Sequence, residues 1–539
     1  MLTYTPPRMD TAPATNEKPW MLLLLCFVWL WPGIFGHAPW KPDEGYVAGV
    51  VQSMLEDGHW LVPTIVNVPY LDSSPLYYWV AAGFAWLTSP ILPLADGMRL
   101  ATPFFMVFAL WFVGLAGRDL LGRRYGRSVA MLLLGSLGLM TFGHAASPDI
   151  ATFCGFALVL WSLSLSRSRG WLAGLLFGIA TGMLALSASM LELGLAWIIA
   201  LLLFAFKAWR TPEHGKALAV ALTVGLPLAL AWPLALTEVD PALASYWWRH
   251  RALGTFQGFG RTAFLHDFGY YLQIFPWFAM PLWPLSLWTL WRRRAALSSP
   301  ALQLPMLFFV VLAVMMTLSP VQAQELALPW LVPLAVLAAA ELDTLKRGAA
   351  ACFNWFGLMT FGLIAAFIWL GWVALNFGWP ARLAERAAFF APTYKAELNL
   401  PMLLVACAAT LVWLWAVTRR NLEGRKASTN WAAGVTLIWA LAASLWLPWI
   451  DIQKSYAPLI SQLRPAAPTD SCMVTDAGLS FIALARYHGG LILHPDSGAH
   501  ADCRYSLVMR YRDSDRPANW VWAGQRPGDR KEFYYLIRR

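Results

Sequence analysis

Charge is what this chain has least of: 13% of its 539 residues are Asp, Glu, Lys or Arg, while 58% are hydrophobic. With a mean hydropathy of +0.52, that scarcity excludes a water-soluble or disordered protein and fits an integral membrane protein. No glycine-rich nucleotide pattern is present, and no repeat of 20–50 residues, which excludes a solenoid. Low complexity is confined to the Pro/Thr-rich start at residues 3–16, so a disordered tail is expected over 1–19. The net charge of +10 does not indicate nucleic acid, because no basic face alternates with stacking aromatics. The first apolar run lacks an Ala-x-Ala-like site behind it and reads as a retained anchor.

What the chain does have is apolar runs. Spanning a bilayer takes about 20 mostly apolar residues, and thirteen such runs are centred near residues 28, 108, 136, 158, 178, 198, 227, 279, 310, 334, 365, 408 and 438. Positively charged short loops stay cytoplasmic. With the N-terminus inside, residues 1–19, 118–127, 167–169, 207–216, 292–294, 346–347 and 419–426 hold 20 Lys and Arg, against 8 in the opposite connections. Thirteen spans, a cytoplasmic N-terminus and a C-terminal module on the outer side over 451–539 follow. Residues 75–94 would invert this arrangement if they spanned, so they are expected to lie in the interface, which suits Tyr77, Tyr78, Trp79, Phe84 and Trp86. Apart from Glu192, near an outer edge, the spans over 20–450 hold almost no charge. That argues against a lipid or glycolipid transporter, which keeps ionisable groups near the midplane.

Of six cysteines, Cys472 and Cys503 fall in the C-terminal module. An oxidising compartment permits them to bridge, closing a loop of about 30 residues worth roughly 3–4 kcal/mol. Alternation over 504–511 and 531–537 predicts strands and 479–487 a helix, giving a small α/β domain.

The loop at 36–98 carries the densest pattern, Lys41-Pro42-Asp43-Glu44-Gly45-Tyr46. Behind it, Val47, Val50, Val51, Met54 and Leu55 recur at helical spacing, predicting an amphipathic helix able to lie on the membrane plane. Asp43 stands where an N-cap belongs and Glu44 in the first turn, so a purely helix-capping role for the pair is the simpler alternative. Gly58-His59-Trp60-Leu61-Val62-Pro63 and Tyr70-Leu71-Asp72-Ser73-Ser74-Pro75-Leu76-Tyr77-Tyr78-Trp79 follow. Together these resemble the bacterial membrane glycosyltransferases of the aminoarabinose lipid A transferase and protein O-mannosyltransferase superfamily, whose fold is GT-C. Arg99-Leu100-Ala101-Thr102-Pro103, Ser147-Pro148-Asp149, Tyr270-Tyr271 with Pro276-Trp277, Ser319-Pro320 and Asp451-Ile452-Gln453-Lys454-Ser455-Tyr456 extend the resemblance over most of the chain.

The resemblance implies an all-α polytopic membrane protein with a small periplasmic α/β domain. It implies transfer of a sugar, with inversion, from a polyprenyl-phosphate donor to lipid A or another glycan or protein acceptor at the outer face of the inner membrane. Asp43 is expected to face the reacting carbon as general base, with Glu44 orienting or stabilising positive charge on the sugar. Lys41, Tyr46, Tyr77, Asp149 and Arg261 are expected to bind substrate. Asp72 and His266 resemble a metal pair suited to zinc or magnesium; a helix cap and an interfacial histidine are the alternative. The chain departs from the pattern at Ser73 and Ser74, at Ala188-Ser189 and at Leu326, where the family has Lys-Pro, Lys-Gly and Tyr. Lys41, Arg99, Arg249, Arg251 and Arg261 are the cations available to replace those phosphate ligands. A catalytically weak relative that binds lipid-linked sugar therefore stands as the second hypothesis.

Overall fold

The structure is a computed structural model that describes residues 20–262, 269–418, 424–468, 472–497 and 502–539; the expected tail at 1–19 lies outside them. Helix α1 (Trp20–Leu30) leads into a loop holding α2 (Asp43–Glu56), the hairpin β1 (Thr64–Ile65) and β2 (Val68–Pro69), α3 (Leu76–Thr88) and α4 (Leu94–Arg99). The bundle continues through α5 (Ala101–Leu121), α6 (Gly126–Leu134), α7 (Leu137–Phe142), α8 (Pro148–Leu165), α9 (Gly170–Ser187), α10 (Met190–Leu202) and α11 (Pro212–Val239). After α12 (Pro241–His250) and the hairpin β3 (Gln257–Gly258) and β4 (Arg261–Thr262) come α13 (Gly269–Phe278), α14 (Leu282–Arg292), α15 (Pro300–Leu318), α16 (Leu331–Ala340) and α17 (Arg347–Phe377). The bundle closes with α18 (Ala381–Phe390), α19 (Leu400–Thr418), α20 (Gly424–Leu441) and α21 (Leu447–Lys454).

Among the described residues, eight helical stretches are long and apolar enough to cross a membrane, and Trp20–Leu30, Met190–Ala205 and Glu325–Ala340 are shorter apolar helices. The runs near 136 and 279 are helices broken in mid-run. Ser136 takes an extended conformation between α6 and α7, and Pro281 precedes α14, the kind of residue that interrupts a helix. Helix length thus counts eight crossings where apolar composition counts thirteen. The five others are short or broken.

Small residues set the bundle's closest approaches, as expected where lipid supplies no hydrophobic drive between helices. Gly174, Gly178 and Gly182 of α9 receive Val220, Val224 and Leu228 of α11, each so near that an added Cβ would fall within 2.7 Å of a side-chain atom.

Helix α3 is 13 residues long, about 20 Å at 1.5 Å per residue and too short to span. Tyr77 and Tyr78 are buried in it, and Trp86 is 69% exposed. Helix α2 corrects an expectation. Its apolar stripe does not rest on the membrane plane, for Val47, Val50, Val51 and Met54 are all buried within the protein's main core. The C-terminal domain supplies the cover.

That domain contains α22 (Ala457–Leu463), α23 (Leu479–Gly489) and strands β5 (Met473–Thr475), β6 (Leu493–Pro495), β7 (Tyr505–Arg510), β8 (Trp520–Gln525) and β9 (Phe533–Arg538). The sheet order is β6-β5-β7-β9-β8. β5 runs parallel to β6 and β7, while β9 is antiparallel to β7 and β8, pairing Leu507 with Leu536. The predicted strands and helix match β7, β9 and α23. Cys472 and Cys503 form a disulfide with a Cα–Cα distance of 4.9 Å, tying the ends of the adjacent strands β5 and β7.

Helix α23 lies directly on α2. A Cβ at Gly45 would meet Ser480 Oγ at 2.2 Å, and one at Gly49 would meet Ala483 Cβ at 2.6 Å, so glycine is what permits this approach. Ser480 Oγ donates to Pro42 O at 2.7 Å. Arg486 pairs with Glu56 and Asp57 at the far end of α2, and Lys41 with Glu532 at the near end.

Candidate active site

Asp43 opens α2 without capping it. The N-cap is Pro42, and no side chain makes a cap hydrogen bond there, so the helix-capping alternative does not account for this carboxylate. Asp43 is solvent-accessible yet crowded by protein. Burial, then the like charges of Glu325, Asp149 and Glu44, push its carboxyl up to about 6, opposed by Lys454. An acid raised into that range is suited to accept a proton near neutral pH.

Its neighbour Glu44 behaves in the opposite way. It is 6% exposed and gripped by the wholly buried Arg99, whose Nε and Nη2 each donate to a Glu44 oxygen at 3.1 Å. The backbone N–H of Trp40 adds a third bond at 2.9 Å. Burial disfavours its charge, but Arg99, His37 and Trp40 together hold the carboxyl below its usual range. Arg99 also donates to Asp96 Oδ1 at 3.0 Å and to the carbonyls of His37 and Ala38. Two expectations are thereby corrected. Glu44 is a buried anchor held by Arg99 and not free to orient a sugar, and Arg99 is sealed away from any donor phosphate. Asp451 extends the anchor, accepting from Trp40 Nε1 at 2.8 Å and Ala38 N at 3.1 Å.

Besides Glu44, Glu325 and Asp149 bring negative charge to bear on Asp43, each more strongly than Glu44 does. Ser147 caps α8 through its hydroxyl, which accepts from Asp149 N at 3.2 Å and donates to Asp149 Oδ2 at 2.6 Å. That cap follows from Ser-Pro-Asp, whereas the approach of Asp149 to Asp43 has no local signature. Glu325 begins the turn Glu325–Trp330 and was not singled out by the sequence. Lys454, carried over from Asp451-x-x-Lys454, was missed as well; its Nζ lies 4.9 Å from the Trp40 ring.

The two segments where the resemblance leads one to expect phosphate-binding lysines, at Ser73 and at Ala188, meet through the neighbouring Ser74. Ser74 Oγ, fully buried, donates to Ala188 O at 3.1 Å. The next residue, Ser189, caps α10 and donates to the buried Glu192. Neither segment carries a cation, and a neutral hydrogen bond beside a carboxylate joins them.

Tyr46 stacks on Tyr70 with centroids 5.2 Å apart and planes 11° from parallel. Tyr70 also lines a small cleft of about 120 Å³ with Leu71, Asp72, Leu243, Tyr246 and Arg251. Both Tyr46 and Tyr70 feel the charges of Asp43 and Asp72, so the aromatic pair links Asp43 to this cleft.

Asp72 Oδ1 is 2.8 Å from Arg251 Nη1. That engages the carboxylate expected to hold a metal. The other expected ligand, His266, lies outside the described residues, and among those described no group of three His, Cys, Asp or Glu could hold a metal ion. No chemical step is routed through a metal.

Two further expectations are corrected. Tyr77 is fully buried with its hydroxyl 2.8 Å from Thr102 Oγ1, which makes it a packing residue. Lys41 is turned to the C-terminal domain, 2.5 Å from Glu532 and 3.9 Å from Asp529. Arg261 lies in β4, paired with Gly258.

No protein-family model matches the sequence. The chain is 26% identical over 436 residues to the undecaprenyl phosphate-alpha-4-amino-4-deoxy-L-arabinose arabinosyl transferase of Pseudomonas savastanoi, covering 76% of this chain and 74% of that protein. It is 27% identical over 456 residues to the protein of the same name from Serratia proteamaculans, covering 80% and 76%. Among solved structures, ArnT from Cupriavidus metallidurans in the apo state superposes with a TM-score of 0.69 at 15% identity, covering 97% of this chain and 98% of that one. The same protein bound to undecaprenyl phosphate gives 0.63 at 15% identity, covering 96% of each. These structures show a shared fold over nearly the whole length, and the resemblance read from the sequence is borne out.

Proposed function

We infer that this chain, a relative of the aminoarabinosyl transferases in sequence and fold, transfers a sugar from a polyprenyl-phosphate donor to lipid A or another envelope acceptor at the periplasmic face of the inner membrane. The observation that carries the reading is Asp43, a carboxylate with a raised pKa at the start of a rigidly held helix. In the reaction the acceptor oxygen bonds to the anomeric carbon from the face opposite the phosphate. The bond from that carbon to the phosphate oxygen breaks, polyprenyl phosphate leaves with the electron pair, and the configuration inverts. A hydroxyl acceptor gives its proton to Asp43; a phosphate acceptor is already anionic, and Asp43 then contributes only negative charge.

Asp149 and Glu325 take the role expected of Glu44. Their charges, felt at Asp43, favour the positive charge that develops on the sugar as the leaving group departs. The anchor of Arg99, Glu44 and Asp96 holds α2 in place, and a catalytic group fixed in advance spends no reorganisation at the moment of reaction. The bias of Lys and Arg toward one set of connections supports a cytoplasmic N-terminus and a periplasmic C-terminal domain. Because the donor is a lipid, no nucleotide-binding fold is needed.

A second reading, a weak or inactive relative that binds lipid-linked sugar, is favoured by Ser73 and Ala188, neutral residues where the resemblance leads one to expect phosphate-binding lysines. Mass spectrometry of lipid A and of the other envelope glycans, from cells with and without the gene, separates the two. The transferase reading expects one glycoform to vanish with the protein, and identical profiles would refute it.

A further inference from the structure

Positive charge with no partner collects where α18 meets the loop between β8 and β9. Helix α18 joins two helices long and apolar enough to cross a membrane, Arg347–Phe377 and Leu400–Thr418, so it lies at a membrane surface. None of its residues is buried. Leu383, Ala384 and Ala387 are half-buried, and Ala387 O accepts from Trp449 Nε1 at 3.1 Å; that side faces the bundle. Arg382 and Arg386, four residues apart and hence on one side of the helix, are exposed.

Phe389 and Phe390 are exposed by 46% and 40%, and Trp379 by 66%. Arg530 lies 4.0 Å from the Phe389 ring centroid, and Arg386 5.8 Å from that of Phe390. Among the described residues, Arg382, Arg386 and Arg530 have no carboxylate partner.

Between these parts opens a cleft of about 460 Å³, lined among others by Phe389, Pro392, Arg526, Asp529 and Arg530. Arg526 is 5% exposed. Its Nη1 donates to Gln453 O and its Nη2 to Asp529, but its buried Nε has no acceptor.

We propose that this cleft binds the phosphate of an anionic membrane-lipid headgroup. Arg530 donates to its oxygens, while Trp379, Phe389 and Phe390 lie in the headgroup layer, where half-wet aromatic rings are favoured. A free phosphate would leave those rings uncovered. The cleft wall touches the catalytic loop, since Asp529 is 3.9 Å from Lys41 Nζ, two residues before Asp43. The proposal does not depend on the transfer reaction.

The test uses the full-length protein in nanodiscs of mixed phosphatidylcholine and phosphatidylglycerol, with retained lipid counted by native mass spectrometry after transfer to detergent. Wild type is expected to retain phosphatidylglycerol preferentially. Arg530→Gln, at an exposed residue of the cleft wall, is expected to lower that retention about fivefold, the loss of one charge-assisted contact, with an unchanged melting temperature. Equal retention of the two lipids, or of phosphatidylglycerol by wild type and Arg530→Gln, overturns the proposal. So does full displacement by inorganic phosphate, which would make this a free-phosphate site. No donor sugar is present, so failure here leaves the transferase reading intact, and failure of transfer leaves this one intact.

Discussion

Replacing Glu44 with glutamine separates anchoring from chemistry. The side chain keeps its size and one carbonyl oxygen, but Arg99 loses half of its buried countercharge, with Asp96 remaining at 3.0 Å. Removing one partner of a buried ion pair costs about 3–5 kcal/mol. With Asp96 and two backbone carbonyls still accepting from Arg99, the lower end, about 3 kcal/mol, is expected for Glu44→Gln. Arg99→Met strands both Glu44 and Asp96 and should cost about 5 kcal/mol. The double variant should cost less than the sum, with a coupling of about 1–3 kcal/mol.

The pH dependence has a definite sign. Because the Glu44 carboxyl is held below its usual range in the fold, its stabilisation is present above the unfolded pKa and is lost as pH falls through the folded one. The advantage of wild type over Glu44→Gln should therefore shrink in acid. Thermal melts of the detergent-solubilised protein and transfer rates normalised to folded protein supply both readouts. A Glu44→Gln variant that melts like wild type but fails to transfer sugar would show that Glu44 acts in the chemistry and that the anchoring argument is wrong.

With Asp43 raised to about 6 and acting as base on a hydroxyl, kcat/KM should fall about tenfold per pH unit below that value; a flat profile down to pH 5 contradicts this. Gly49→Val should destabilise the protein by about 1–3 kcal/mol through overpacking against Ala483, whereas Gly83→Ala, with open space around its Cα, should be neutral or slightly stabilising. Equal melting temperatures for the two would refute the close packing of α2 on α23. Chelation by EDTA should leave transfer unchanged, because Arg251 engages Asp72; a loss reversed by zinc would restore the metal expectation.

Much of the fold was legible because lipid imposes a demand that composition reveals directly: a long apolar run has few other uses. The strands over 505–510 and 533–538 were legible from alternation, and Ser147-Pro148-Asp149 from the chemistry of a helix start. What could not be read were pairings between distant residues. Arg99 and Glu44 are 55 residues apart, and an arginine beside the second apolar helix looks the same in sequence whether it meets a phosphate or a buried glutamate.

The stripe on α2 was correctly periodic, but periodicity does not say what covers it. The cover, α23, arrives more than 400 residues later. Asp43 was found through its neighbours in the motif, whereas Glu325 and Lys454 reach it through the fold alone. Tyr77 was misassigned because a tyrosine beside a motif carries no local sign that its hydroxyl is already bonded to Thr102.

The most direct measurement is transfer by the purified full-length protein, supplied with a polyprenyl-phosphate sugar and a lipid acceptor, compared between wild type and Asp43→Asn. Transfer by wild type and a fall of about 10²–10⁴ in rate for the variant, with its melt preserved, is the predicted result. An unchanged rate in Asp43→Asn would contradict the assignment of this carboxylate as the reacting group.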